Sequence, residues 1–246
     1  MILRKALYIM WLCGIVLLPL AGCSSDDNGT TPDNNNPPTV EFTMDKLAVP
    51  RTSDITLTVT TDDPDGDPVT VNWQVTRGVL NQSQQGLPSI GWITPQVAGL
   101  DTITITAADN KGGSTTITET IKVGWLITNR IQPPGQTWRA VNSPIIVRPG
   151  EDKFVITEGA RLIVEAGVEI MIDRRDLETV VSGGTFEING DAVDPVTIVP
   201  NTKTPEPGWW AGILVASGEL GQLGSVDMTY ARIGYATSAV RGINTS

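Results

Sequence analysis

Asp63, Asp65 and Asp67 stand at alternate positions in "DDPDGD" (62–67), a spacing at which side chains could do chemistry. Alternating carboxylates can supply the hard oxygen ligands that calcium takes, so the three form a candidate calcium site. A full EF-hand loop would add a Glu at fixed spacing further on, and "VTVNWQ" supplies none. The same aspartates also suit a turn in which their side chains accept bonds from nearby backbone N–H groups. A second acidic cluster is "DRRDLE" (173–178), with Glu165 and Glu169 shortly before it. Paired carboxylates can act as acid and base on a glycosidic bond. Asp173 to Glu178 also reads as a solvated loop leaving a strand, and Glu165 and Glu169 as outward residues flanking a tight turn, so no catalytic residue is assigned. Trp209 and Trp210 are candidate ligand-binding residues, since an indole can stack on a sugar ring. Neighbours in a strand face opposite ways, so one of the two is expected in the core and the other part-exposed.

Composition narrows the chemistry. The 246 residues include no histidine, which removes the commonest general base and transition-metal ligand. The two cysteines, Cys13 and Cys23, both lie in or beside the amino-terminal apolar run, so the rest of the chain has no disulfide, thiol nucleophile or Cys-based zinc site. The net charge is −10, and without Arg4 and Lys5 the balance is 15 basic against 27 acidic side chains. A surface that acidic repels nucleic acid, and no basic stripe interrupts it. Frequent Thr, Val, Ile and Gly favour strands over helices.

The elements that must position these residues begin after a leader. Arg4 and Lys5 precede an almost wholly apolar stretch, Ala6 to Leu20, the layout of a secretory signal peptide. The run is short of the ~20 residues of a spanning helix, and Pro19 disturbs its end. "LAGC" (20–23) resembles the lipobox of bacterial lipoproteins. That resemblance implies a cut after residue 22 and a lipid on Cys23, which would anchor the protein to a membrane. Several acyl chains anchor firmly because each buried methylene contributes ~0.8 kcal/mol. Residues 23–37 follow as a polar, flexible linker. Ser24 looks like the residue that directs a lipoprotein to the outer membrane. Ser25-Asp26-Asp27 resembles the acidic tag of some surface-exposed lipoproteins, and reads equally as ordinary acidic linker.

Residues 38–124 alternate apolar and polar side chains in "DITLTVT", "VTVNWQVT" and "DTITITA", which predicts strands with one buried face. With "TVEFT", "KLAVP", a strand near Trp92 and "TTITETIKV" the count is about seven, a sandwich number. "DPDGD" ahead of a Trp-bearing strand, with "AADNKGG" before the last strand, resembles bacterial immunoglobulin-like domains of the PKD and cadherin-like kind. The resemblance implies that Trp73 is the core tryptophan, although no cysteine pair flanks it.

Residues 125–246 carry shorter strands and tighter turns. "GARLIVEAGVEIMI" (159–172) predicts two strands joined by "AG", and "GGTFEINGDAVDPVTIVP" (183–200) repeats the pattern. Taking Leu162, Phe186 and Ile213 as inward landmarks gives separations of 24 and 27 residues, a solenoid period. A leucine-rich repeat would need recurring Leu and an Asn ladder, and both are missing. These segments with "PGWWAGI" (207–213) resemble a right-handed parallel β-helix of about four coils, with residues 125–153 as its cap and Trp92, Trp125 and Trp138 filling the joint between domains.

The expected architecture is all-β: an immunoglobulin-like sandwich followed by a short right-handed parallel β-helix, cut short or meeting a partner end to end. The expected function is non-enzymatic: surface display, adhesion or glycan binding by an outer-membrane lipoprotein, exposed at the cell surface if the acidic tag operates. Calcium is the one cofactor considered. A polysaccharide or another cell-surface protein is the expected partner, with nucleic acid excluded. The alternatives are a polysaccharide lyase or hydrolase on an incomplete β-helix, and a purely structural stacking module.

Overall fold

In the computed structural model the structure describes residues 35–242, so the leader, Cys23 and most of the linker lie outside the described residues. The described residues fall in one compact unit. Its first eight strands are β1 (Thr39–Phe42), β2 (Ala48–Pro50), β3 (Asp54–Asp62), β4 (Thr70–Val75), β5 (Val79–Leu80), β6 (Ser89–Ile93), β7 (Gly99–Ala108) and β8 (Ser114–Ile127). One antiparallel sheet has the order β1-β3-β6-β5, and β4, β7 and β8 form the facing one. The alternation read in the sequence fills the space between them: Leu57 and Val59 of β3 and Ile90 and Trp92 of β6 pack against Trp73, Ile103, Ile105 and Ile121. Trp73 is 2% exposed and its indole N–H donates to Leu87 O at 3.0 Å. Trp92, expected at the joint, is instead wholly buried in this core, with its N–H on Arg77 O. Its place follows from strand parity, because Trp92 is in step with Ile90 on the inner face of β6.

The second region holds β9 (Gly135–Trp138), β10 (Ile145–Val147), β11 (Lys153–Ile156), β12 (Arg161–Glu165), β13 (Glu169–Ile172), β14 (Glu178–Ser182), β15 (Thr185–Asn189), β16 (Val196–Pro200), β17 (Trp210–Ala216), β18 (Ser225–Thr229), β19 (Ala231–Ile233) and β20 (Ala236–Gly242). All their mutual pairings are parallel. The chain visits three sheets in rotation: β9-β12-β15-β18, β10-β13-β16-β19 and β11-β14-β17-β20. Inner side chains of all three meet in one core, for example Leu162, Ile170 and Phe154. The "AG" turn between β12 and β13 needs Gly167, whose φ is +76°.

Two sequence expectations shift here. Leu162 and Phe186 are in register, but Ile213 lies on another sheet opposite Thr179, and the next residue on the Phe186 row is Val226. Long connections at 201–209 and 217–224 lengthen that round and displace the apparent period. Residues 125–153, expected as a cap, already supply β9 and β10 to the stack.

The two regions share a strand. β8 pairs with β7 and, along 122–124, with β2, then continues through 125–127 to pair with β10. One sheet therefore runs β4-β7-β8-β10-β13-β16-β19. The position between these pairings must be small: a Cβ on Gly124 would lie 2.0 Å from Pro144 O. Asn201, 1% exposed, closes the free edge of β2. Its Oδ1 accepts from the backbone N–H of Leu47 at 3.1 Å and of Ala48 at 2.8 Å, and its Nδ2 donates to Ala48 O at 2.9 Å. Ala48, Ile146 and Met171 pack together beside it.

Candidate functional site

The acidic turn between β3 and β4 brings Asp63, Asp65 and Asp67 together, with one carboxylate oxygen from each within 4.8 Å of the others. Asp63 Oδ1 accepts from the backbone N–H groups of Asp65 at 2.9 Å and Asp67 at 3.0 Å, the turn-forming role. Asp65 accepts from the Asn36 backbone N–H at 2.6 Å, which ties the end of the linker to the turn. Asp67 Oδ1 lies 2.7 Å from Lys111 Nζ. Asp63 Oδ2 and Asp67 Oδ2 are buried and have no hydrogen-bond donor among the described residues. Two buried carboxylate oxygens of this kind fit a hard cation in chemistry and in spacing. The neighbouring turn is also tied to the linker. Asp109 accepts from the N–H groups of Lys111 and Gly113 and from Asn35 Nδ2. Burial pushes its carboxyl up, but these bonds outweigh it and hold the carboxyl below the usual aspartate value.

Of the carboxylates weighed for glycosidic chemistry, Asp173, Glu165, Glu169 and Glu178 are engaged, while Asp176 sits exposed at a turn position with φ of +62°. The Asp173 side chain has no exposure and sits between Lys46 Nζ at 2.5 Å and Arg148 Nε at 2.6 Å, joining sandwich to stack. Glu169 pairs with Lys122 at 2.5 Å, again across that junction. Glu178 is paired with Arg241, and Glu165 with Arg139 at 3.3 Å. On the next face Arg161 binds Glu187 through two bonds of 2.5 and 2.6 Å, which hold the Glu187 carboxyl below its usual value. Arg174 is spent on Gly150 O and Arg175 on Glu206. Sequence spacing could not reveal these pairings, because most partners lie one round of the stack away or in the sandwich.

Trp210 is 1% exposed and its N–H donates to Gly234 O at 2.9 Å, so its ring belongs to the core rather than to a ligand. Trp209 is half-buried, and Arg175 lies over its ring, 5.2 Å from the centroid. Trp138 packs on Phe154 inside the stack, with centroids 6.0 Å apart. A feature that sequence reasoning missed is an open cleft of about 630 Å³ where sandwich meets stack. Arg51, Ser53, Trp125, Gln136 and Thr137 line it, and the Arg51 guanidinium lies 4.7 Å from the Trp125 centroid. Its residues come from three separate segments, 50–53, 125–127 and 136–137, so no contiguous motif announces it.

Residues 34–122 match a bacterial Ig domain. The matched span is the sandwich through most of β8, and it contains the acidic turn. No curated protein matches the chain. Two solved structures show partial likeness. One is a nucleoside hydrolase-related hypothetical protein from Saccharophagus degradans that is associated with carbohydrate metabolism, with 20% identity, 36% of this chain and 25% of that one covered, and a TM-score of 0.30. The other is the ZirS C-terminal domain, with 18% identity, 49% and 93% covered, and a TM-score of 0.26. The chain thus spans about a quarter of the length of the first. At these TM-scores neither likeness bears on fold or function.

Proposed function

We propose that this chain is a non-enzymatic display or adhesion module of the bacterial cell envelope, held to the outer membrane through lipid on Cys23. In this reading an Ig-like sandwich caps a short right-handed parallel β-helix, and the two act as one rigid rod on a polar tether. The observation that carries it is β8, which serves both regions without a break and is flanked by the Asn201 clasp and the buried Asp173 ion pairs. A solenoid needs its first coil covered, and the sandwich meets that need. The bacterial Ig match favours a surface module over a soluble catalyst.

Calcium between Asp63, Asp65 and Asp67 would tie the tether to the sandwich at Asn36 and stiffen the base of the rod. Ligand contact falls to the junction cleft, where Arg51 offers a cation and Trp125 an apolar face to an acidic polysaccharide. Of the paired tryptophans, this reading keeps only Trp209 on the ligand side.

The test is the intact mass of the native protein from the membrane fraction, together with retention on acidic polysaccharide. Acylated Cys23 as first residue, with retention that Arg51→Ala abolishes, is expected. An unmodified protein in the soluble fraction would overturn the anchor. Reducing or unsaturated ends released from the polysaccharide would overturn the non-enzymatic reading.

A further inference from the structure

The junction cleft is built around one arginine. Arg51 follows β2, and its backbone is held on both sides. Its N–H donates to Gly124 O at 2.9 Å, and its carbonyl accepts from the Thr52 hydroxyl at 2.7 Å and the Ser53 hydroxyl at 3.2 Å. The guanidinium is held as well: Nη1 donates to Gln96 O at 3.1 Å, and the group lies over the Trp125 ring. Thr52 takes a φ of +51°, a left-handed conformation that a β-branched residue rarely adopts. Such strain persists only where the surroundings impose it, and here it sits in the turn that carries Arg51.

No acid neutralises this arginine among the described residues. The chain has 27 acidic against 17 basic side chains, and nearby cations are taken: Lys46 and Arg148 pair with Asp173, and Lys122 with Glu169. Arg51 rests instead on a neutral carbonyl and an indole, and its Nε and Nη2 have no acceptor among the described residues. It is the one charged residue that lines the cleft. Nε and Nη2 form the fork of parallel donors that a carboxylate fits.

The floor of the cleft is the first round of the stack. Trp125 is in register with Ile145 and Gln136 with Leu162, both buried inward residues. A covered inward position would take an apolar side chain, yet Gln136 stands there exposed. Its Oε1 accepts from Trp138 Nε1 at 3.2 Å, which leaves Nε2 as a donor. Thr137 adds a hydroxyl, and Leu126, 36% exposed, an apolar patch. Trp125 Nε1 is buried and has no acceptor among the described residues. Few buried donors are left unmet in native structures, and this one belongs to the cleft wall.

We propose that the cleft takes a single hexuronate within an otherwise neutral glycan. The Arg51 fork binds its carboxylate, while Gln136, Thr137 and Leu126 take neighbouring neutral sugars. The volume of about 630 Å³ is that of a small-ligand site and holds more than one sugar ring. A densely charged polyanion is disfavoured, because the cleft offers one free cation on a chain of net charge −10 and the remaining carboxylates would meet that field unpaired. The site also lies at the far end of the sandwich from the linker. Ser53 precedes β3 and Asp65, which holds Asn36, follows it, about 30 Å away along that strand.

This proposal rests on the glycan-binding reading above and narrows it from acidic polysaccharide to one carboxylate per recognised unit. It is tested by isothermal titration calorimetry on the full-length protein in detergent, with circular dichroism confirming that each variant is folded. The probes are the gellan tetrasaccharide, which has one glucuronate among neutral sugars, the same tetrasaccharide with its carboxyl reduced to the alcohol, and tetragalacturonate. The first is expected to bind, and carboxyl reduction to weaken it roughly tenfold or more. Tetragalacturonate should bind more weakly than the singly charged probe. Arg51→Ala should bind acid and alcohol equally, and Arg51→Lys, which keeps the charge without the fork, should recover only part of the preference. Equal binding of acid and alcohol by the wild type, binding of neither, or an Arg51→Ala variant that still prefers the acid would each overturn the proposal. Tighter binding of tetragalacturonate would overturn it too, and would leave the broader acidic-polysaccharide reading in place. The anchor plays no part in the titration, so its failure shows only in the intact mass.

Discussion

Replacing Asn201 by alanine should weaken the sandwich and the stack together. The side chain makes three bonds to the β2 backbone, and two of them serve the N–H and C=O of Ala48, which is wholly buried. Ala48 cannot turn these groups toward β8, since that edge already pairs along Lys122 to Gly124. Each buried backbone group left unpaired costs about 1–3 kcal/mol. The Leu47 N–H is part-exposed and recovers a bond from water, so it adds little. The sum is roughly 2–6 kcal/mol for Asn201→Ala. For a cooperative unit of this size, that is a fall in Tm of roughly 4–24 °C. Native-state hydrogen exchange read by peptide mass spectrometry separates the two regions. The slowest amides of β7 and those of β12 and β15 should lose the same opening free energy. A loss confined to the stack, or a change below about 0.5 kcal/mol, would refute the argument that β8 and its clasp make one cooperative body.

Four further outcomes follow from the geometry. Gly124→Ala should destabilise by about 1–3 kcal/mol, because the new methyl would meet the Pro144 carbonyl and the backbone must shift, and a urea melt reads this directly. Trp210→Ala should cost about 3–5 kcal/mol in the same melt, whereas Trp209→Ala should leave the fold intact and reduce retention on polysaccharide. Millimolar calcium should raise Tm in the wild type and leave Asp67→Asn unchanged, and calorimetry without binding heat would remove calcium from the account. Asp109 and Glu187 both have carboxyls held below their ordinary values, so each adds stability that is fully present above the ordinary range and is lost as pH falls through the folded value. Urea midpoints of Asp109→Asn and Glu187→Gln should therefore fall less steeply than wild type below about pH 4, with parallel curves from pH 5 to 8.

The strands of the sandwich were legible because their alternation is strict. In "DITLTVT" every second residue is apolar, and the inner face of β3 carries Leu57 and Val59 as that parity requires. β5 escaped notice because two residues cannot display a period. The parallel strands were legible one at a time, as in "RLIVE" and "FEI", but their order was not. The Leu162 row continues at Phe186 and then at Val226, since two connections of unequal length stand between β16 and β18. A period averaged along the chain cannot resolve that.

The acidic residues show where sequence stops for a different reason. Asp173 and Asp63 look alike on paper, each in a charged stretch after a strand. Asp173 is closed between Lys46 and Arg148, residues 127 and 25 positions away, which makes it part of the junction. Asp63 faces carboxylates two and four positions away and keeps one buried oxygen without a donor. What separates a structural acid from a candidate ligand is the charge that folding brings beside it. In this chain that charge arrives mostly from the neighbouring rung of a sheet or from across β8. Arg161 with Glu187 and Lys122 with Glu169 are neutralised in that way.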